Sequence, residues 1–146
     1  MRPSKFLVFL TLTNFVLHLV WEYAQCGPLF VHLNKAPTHL NMFLATGGDV
    51  IIFWTSYTIG GLFKDSFTWG LKFVSAANWF GFAIISALIS ASIEHVAIVK
   101  RMWVYKSLNP VIPGIDISIL PVIQMASLNF ITLLIIRRFF LKRSSI

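Results

Sequence analysis

Three carboxylates lie in stretches of this sequence that are otherwise strongly apolar. Glu22, Asp49 and Glu94 each fall near one end of an apolar run. An ionisable side chain inside a membrane costs roughly 3 kcal/mol on insertion scales and usually faces a protein interior or a water-filled cavity. The three acids therefore predict a shared polar pocket. Such a set suits general acid and base chemistry, and it suits proton-coupled transport equally well.

Polar residues at helical spacing accompany the first of these acids. Asn14, His18 and Glu22 recur every fourth residue, and Gln25 follows three residues later, so one face of a helix is polar. Asn14 is expected to hydrogen-bond between helices. For His18 two interpretations stay open, since a histidine can be held by its neighbours or carry protons near neutral pH.

The same period appears before the third acid, where Ser86, Ser90 and Glu94 share one face. Further polar and aromatic residues flank the acids and are expected to bind or orient a ligand. The predicted catalytic residues are Glu22, Asp49 and Glu94, and the predicted binding residues are His18, Trp21, Gln25, His95, Trp103, Tyr105 and Gln124.

Composition indicates what surrounds these groups. Of the 146 residues, 57% are hydrophobic and only 12% are charged, whereas a soluble domain carries about a quarter charged residues. Lipid must therefore cover most of the surface. The net charge of +7 does not indicate nucleic acid, because the basic residues form short clusters beside apolar runs.

The apolar runs predict an all-α integral membrane protein with four transmembrane helices in one domain, residues 1–146. The expected spans are 6–25, 44–63, 74–99 and 117–136, each long enough to cross about 30 Å of hydrocarbon. The first run shows no small-residue cleavage pattern, so we expect a retained helix rather than a signal peptide. With alternating helix directions, Glu22, Asp49, Glu94 and Gln124 should share one layer near one membrane surface.

The distribution of basic residues predicts the orientation. Eight Lys and Arg flank the side that holds both termini, and four lie in the first and third loops. By the positive-inside rule both termini should be cytoplasmic, with a bacterial inner membrane as the default location. Trp69 and Trp79, near predicted span ends, are expected to anchor in the interface.

No cofactor or metal motif is found in the sequence. Cys26 is the single cysteine and is interpreted as a solitary thiol at the membrane edge. The loop from Trp103 to Pro121 is too apolar for an ordinary exposed connection, and we expect it to lie in the interface or to fold over the pocket as a lid.

A scattered pattern resembles a family of small, functionally uncharacterised four-span bacterial membrane proteins. The residues that carry the resemblance are Trp21-Glu22, Gln25, Pro28-Leu29, Gly48-Asp49, Glu94, Trp103, Tyr105, Pro110, Pro113-Gly114, Pro121 and Gln124. The resemblance implies a shared polar site and supplies no activity. Residues 94–121 also resemble, locally, a segment of membrane carotenoid cyclases and hydratases, in which acids act on an isoprenoid double bond.

Two classes of function follow from these observations. The first is an enzyme or binding protein whose pocket handles a membrane lipid, an isoprenoid or another hydrophobic small molecule, with no nucleic-acid partner. The alternative is a proton-coupled small-molecule transporter, for which a homo-oligomer is expected because four short helices enclose little volume, or an accessory subunit of a membrane complex.

Overall fold

The chain is mainly helical. A computed structural model describes residues 3–32, 36–72 and 75–142. The helices are α1 (Pro3–Leu29), α2 (His39–Leu62), α3 (Trp69–Lys72), α4 (Ala76–Val99) and α5 (Ile119–Lys142), and the short strands are β1 (Phe30–His32), β2 (Trp103–Tyr105), β3 (Val111–Ile112) and β4 (Ile117–Ser118). The prediction of a mainly helical chain is confirmed, and the described residues also contain four short strands that the all-α prediction did not include.

Three helices within the described residues are long and apolar enough to cross a membrane. They comprise Ser4–Leu29, Ala76–Val99 and Ile119–Phe140, so a multi-pass membrane-embedded chain is supported. The predicted second span, α2, is as long as α4 but is not among the three. Its Gly47, Gly48, Asp49 and neighbouring hydroxyl residues lower its hydropathy.

Local sequence explains where these helices begin and end. Thr38 and Asn41 form a capping box, in which the Thr38 hydroxyl accepts from the Asn41 backbone N–H and the Asn41 side chain accepts from Thr38 N. This cap starts α2 five residues before the predicted 44. Helix α1 includes Pro28 in its last turn and continues past the predicted end at 25.

Some of the sequence evidence falls on residues that the structure leaves undescribed. The predicted start of the third span, residue 74, lies outside the described ranges. So do Arg2, Lys35 and Arg143, which contributed to the orientation count.

The long helices pack α1 against α2 and α5, and α4 against α5 and α2. At the end of the bundle where α1 begins, the helices pack around an aromatic and aliphatic core. Its buried members are Phe6, Leu10, Phe53, Tyr57, Trp69, Trp79, Phe82, Leu133 and Ile136. We call this set the aromatic core.

Membership of Trp69 and Trp79 in the aromatic core corrects their predicted role as interfacial anchors. Their exposed fractions are 2% and 7%, so neither ring can lie among headgroups. Trp69 stacks on Tyr57 at 5.0 Å between ring centroids, and its Nε1 donates to Tyr57 O at 2.9 Å. Trp79 packs edge-on against Phe130 at 4.5 Å.

The other end of the bundle carries two small antiparallel ribbons. β1 pairs with β2, placing Phe30 opposite Tyr105, and β3 pairs with β4. The Lys106 Nζ donates to Gly27 O at 2.6 Å, and Asn109 Nδ2 donates to Leu29 O at 3.2 Å. The loop from Trp103 to Pro121, which is the third loop, thus satisfies carbonyls at the C-terminus of α1 that have no partner inside the helix. These bonds fix the loop over this end of the bundle.

Candidate functional site

Gln124 on α5 joins two of the predicted acids. Its Nε2 donates to Glu22 Oε1 at 3.0 Å and to Asp49 Oδ2 at 2.8 Å. Gln25 Nε2 donates to the same Glu22 oxygen and to Gln124 Oε1, both at 2.8 Å. Side chains from α1, α2 and α5 therefore meet at one depth, which is the arrangement that alternating helix directions predict.

His18 extends this cluster toward the middle of the bundle. Its Nδ1 lies 3.2 Å from Asp49 Oδ2, and its Nε2 lies 3.1 Å from Asn129 Oδ1. Asn129 directs its Nδ2 to Ser86 Oγ at 3.1 Å, so Oδ1 is the acceptor and His18 Nε2 carries a hydrogen.

The contact between His18 and Asp49 also involves Gln124. Gln124 Nε2 lies 3.1 Å from His18 Nδ1, besides its contacts with Glu22 and Asp49, so three acceptor atoms surround its two hydrogens. An imidazole nitrogen and a carboxylate oxygen 3.2 Å apart form a pair between which a proton can move.

Glu94 forms a second polar group with the loop. Tyr105 donates its hydroxyl hydrogen to Glu94 Oε1 at 2.5 Å, and Trp103 Nε1 donates to the same oxygen at 3.2 Å. The Tyr105 hydroxyl oxygen in turn accepts from Ser118 N at 2.9 Å. Burial, with the hydrogen bond to Glu94 as a second cause, raises the pKa of Tyr105 above its usual value, so this hydroxyl remains a donor at neutral pH.

Cys26 belongs to the first cluster, although the sequence interpretation left it as a solitary thiol. Its Sγ donates to Glu22 Oε2 at 2.9 Å. The signal available in the sequence was the spacing, because Cys26 follows Glu22 by four residues and so lies on the same face of α1.

Both polar groups border a single cavity of about 480 Å³, a size typical of small-molecule sites. We call it the carboxylate cavity. Its polar lining comes from Glu22, Gln25, Asn41, Asp49, Ser90, Glu94 and Gln124, and its apolar and remaining lining from Cys26, Phe30, Leu44, Ala45, Gly48, Ile52, Ile93, Met102, Trp103 and Pro121. Trp103 and Met102 place the third loop against the cavity, as expected for a lid.

Most of the predicted site residues come together here. Glu22, Asp49, His18, Gln25 and Gln124 form one cluster, and Glu94, Trp103 and Tyr105 form the other, as described above. His95 and Trp21 lie apart from the hydrogen-bonded groups. His95 is exposed on α4, one position beyond the inward-facing Glu94, and Trp21 is half-buried with no hydrogen-bond partner for its Nε1 among the described residues.

Below the first cluster lies a buried chain of polar side chains that begins at Asn14. Asn14 Nδ2 donates to Asn129 Oδ1 at 3.1 Å and to Thr132 Oγ1 at 3.2 Å. These residues, together with Ser86, are fully buried. They connect α1, α4 and α5, which agrees with the expectation that Asn14 bonds between helices.

The described residues offer no metal-binding group. In residues 3–32, 36–72 and 75–142, no set of three or more His, Cys, Asp and Glu side chains is placed to hold a metal ion. The polar groups that line the cavity are carboxylates, amides, a thiol and a hydroxyl, with the His18 imidazole and the Tyr105 phenol behind them, in contact with Asp49 and Glu94.

Comparisons of the chain with models of known protein families, with curated proteins and with solved structures found no match. The family resemblance and the local resemblance to carotenoid-modifying enzymes remain predictions. Function must therefore be inferred from the geometry of the cavity.

Proposed function

We propose that this chain is a four-span membrane protein that binds an isoprenoid or another lipid-like molecule in the carboxylate cavity and carries out acid and base chemistry on it. One observation supports the proposal above others: a cavity of about 480 Å³ joins three acids to apolar side chains. An amphipathic ligand could place its polar end on the acids and its apolar end on Phe30, Ile52 and Ile93.

In this proposal α2 is the fourth span. It packs between α1 and α4 along the bundle, and its length matches that of α4. The basic residues Lys64, Arg137 and Arg138 lie at the end opposite the cavity. The positive-inside rule therefore favours cytoplasmic termini and a cavity near the outer surface of a bacterial inner membrane. Reporter fusions after residues 35, 66 and 109 test this topology.

The roles of the three acids follow from their contacts. Asp49 borders the cavity and lies 3.2 Å from His18, so the pair is suited to exchange a proton with a ligand. Glu22 accepts from Gln25, Gln124 and Cys26, so it holds the polar wall in place and supplies negative charge. Glu94 is oriented by Tyr105 and Trp103 and acts from the part of the cavity lining that α4 supplies.

Mass spectrometry of copurifying lipids tests the function. The wild type is compared with Glu22→Gln/Asp49→Asn/Glu94→Gln and with Asp116→Asn. Asp116 is exposed and has φ of 52°, a conformation that asparagine tolerates, so the control removes one charge without disturbing the loop. We expect a specific lipid in the wild type and in the control that is lost from the triple variant. Equal lipid content in all three would contradict the proposal.

Proton-coupled transport is the second candidate. The buried polar chain from Asp49 through His18 and Asn129 to Asn14 favours it, because it leads inward from the cavity. The aromatic core, which fills the other half of the bundle, argues against an open path. For transport, an open path would then have to be formed by a homo-oligomer or by a larger complex in which this chain is an accessory subunit. Acid-dependent solute flux into liposomes that stops in His18→Gln would favour transport over lipid binding.

A further inference from the structure

We infer that the carboxylate cavity selects a lipid by its head group, accepting an uncharged or cationic head that donates hydrogen bonds, such as an alcohol or an amine, and rejecting phosphate and carboxylate heads. The ligand enters sideways from the membrane, between α2 and α4. The inference rests on the proposed lipid-binding function and adds the chemical class of the ligand and its route.

The first step concerns charge. Glu22, Asp49 and Glu94 all border the cavity, and in the described part of the chain no Lys or Arg lines it. The nearby Lys106 amine donates instead to Gly27 O. An anionic head placed here would meet like charge without a counter-ion, which is strongly unfavourable in a poorly solvated site.

The second step concerns hydrogen bonding. All three acids accept hydrogen bonds from the protein. Glu22 accepts from Gln25, Gln124 and Cys26. Asp49 accepts from Gln124, and Glu94 accepts from Tyr105 and Trp103. Carboxylate oxygens can accept about four hydrogen bonds per group, so capacity remains for a ligand. Only a ligand that brings hydrogens can use it.

Gln25 gives an independent indication in the same direction. This residue lines the cavity and is 7% exposed, and its Oε1 is buried without a hydrogen-bond partner among the described residues. The amide cannot be reversed to remove this defect, because Nε2 already lies 2.8 Å from two acceptors, Glu22 Oε1 and Gln124 Oε1. An unsatisfied buried acceptor calls for a donor, and an alcohol or amine in the cavity supplies one once the Gln25 side chain turns its oxygen toward the ligand.

The third step concerns access. One side of the cavity is bordered by Leu44 on α2 and Ile93 on α4, whose exposed fractions are 65% and 45%. Exposed apolar side chains on a membrane-spanning bundle face lipid. Met102, from the loop above, is 49% exposed at the same border. The opening between α2 and α4 therefore faces the hydrocarbon, and an alkyl chain can extend through it.

Gly48 provides a way to close this opening. It is exposed, it lines the cavity, and a Cβ built on it meets nothing within 4 Å. Gly48→Leu should therefore fold and fill the entrance. Gly47 is the matched control, because an added Cβ there also meets nothing within 4 Å and the residue is not part of the cavity lining.

The experiment uses four photoreactive C16 compounds, an alcohol, an amine, a carboxylate and a phosphate monoester, with the purified full chain in neutral lipid nanodiscs. Labelled peptides are identified by mass spectrometry. We expect the alcohol and the amine to label peptides around Leu44 and Ile93 at least about tenfold more than the two anions. Gly48→Leu should abolish this labelling and Gly47→Leu should retain it. Glu22→Gln/Asp49→Asn should reduce the preference over anions.

The other outcomes overturn the inference in distinguishable ways. Equal labelling of the cavity by all four compounds would overturn the head-group selection while leaving lipid binding intact. Labelling that survives Gly48→Leu would overturn the lateral route. Failure of every compound to label the cavity, together with no specific copurifying lipid, would overturn both the inference and the proposed function.

Discussion

His18 Nδ1 lies 3.2 Å from Asp49 Oδ2, which places an imidazole on α1 and a carboxylate on α2 within hydrogen-bond distance of each other. The other ring nitrogen contacts Asn129 on α5. Replacing His18 by leucine should lower the free energy of unfolding by about 1–3 kcal/mol, the usual cost of unsatisfied buried polar groups. Thermal unfolding in detergent measures this change. Ser92→Ala is the control, since that exposed hydroxyl donates to Leu88 O of its own helix.

His18→Gln separates structure from function at the same position. A glutamine amide can reach the site of Nε2 and keep the contact with Asn129, but it leaves Asp49 without its proton partner. We expect nearly wild-type thermal stability and retention of copurified lipid lowered by about tenfold, the equivalent of one charge-assisted hydrogen bond. Unchanged lipid retention would show that the contact with Asp49 has only a structural role.

The Tyr105 hydroxyl links Glu94 to the backbone of β4. Tyr105→Phe removes the donor to Glu94 and the acceptor for Ser118 N. We expect the Ser118 amide to exchange hydrogen for deuterium at least about fivefold faster, since one lost hydrogen bond corresponds to about 1 kcal/mol or more. Tyr23→Phe, at an exposed tyrosine, should leave this amide unchanged.

The raised pKa of Tyr105 also predicts a pH dependence. A folded-state pKa above the unfolded value means that the contribution of this hydroxyl is fully present below pH about 10 and is lost as the pH rises further. The absorbance difference at 295 nm between the wild type and Tyr105→Phe should therefore titrate above pH 10. Titration of this difference at or below pH 10 would contradict the buried, Glu94-bound hydroxyl.

Gly60 packs against the indole of Trp69, which is held in place by its neighbours. An added Cβ would be 2.8 Å from Trp69 Cζ2, and Trp69 is held by its bond to Tyr57 O. Gly60→Ala should therefore lower the free energy of unfolding by about 1–3 kcal/mol, the usual cost of overpacking. Gly47→Ala, where the added carbon meets nothing within 4 Å, should be neutral or stabilise the helix slightly. Equal unfolding transitions for the two variants would contradict this packing.

Cys26 reports the electrostatic potential of the cavity. As the single cysteine of the chain, bonded to Glu22 and lining the cavity, it should react about tenfold faster with a cationic thiosulfonate than with an anionic one of similar size. Mass spectrometry of timed samples gives both rates. Asp49→Asn should reduce the ratio and Asp116→Asn should not. A ratio near one in the wild type would mean that the carboxylates do not set the local charge.

The depth of the polar residues could be predicted from the sequence because helix rise and alternating direction fix it. Glu22, Asp49 and Gln124 meet for that reason. Rotation about each helix axis is harder to assign, and it separates Glu94 from His95: the face that carries Ser86, Ser90 and Glu94 is buried, while the next residue points outward. The sequence does contain a signal for this, because His95 lies among the apolar residues Ile93 and Val96. The structure leaves both of these side chains exposed as well.

The loop contacts could not be derived from local signals. Phe30 and Tyr105 pair across 75 positions of sequence, and neither three-residue strand has enough length to show an alternating pattern. The roles of Trp103 and Tyr105 were therefore expected only as ligand contacts, whereas the structure uses both to hold Glu94. The prediction for Trp69 and Trp79 was wrong because an aromatic residue near the end of a span is common both at the membrane interface and in buried helix contacts. Sequence position alone does not distinguish the two environments.

The pairing of β1 with β2 has a consequence for biosynthesis. Strand β1 leaves the ribosome directly after α1, but its partner emerges only after α2 and α4 have been made. Residues 30–32 must therefore wait without their partner strand while α2 and α4 are synthesised. Truncated nascent chains that end before residue 103 cannot form this ribbon or place Trp103 beside Glu94, so the site is completed late in synthesis.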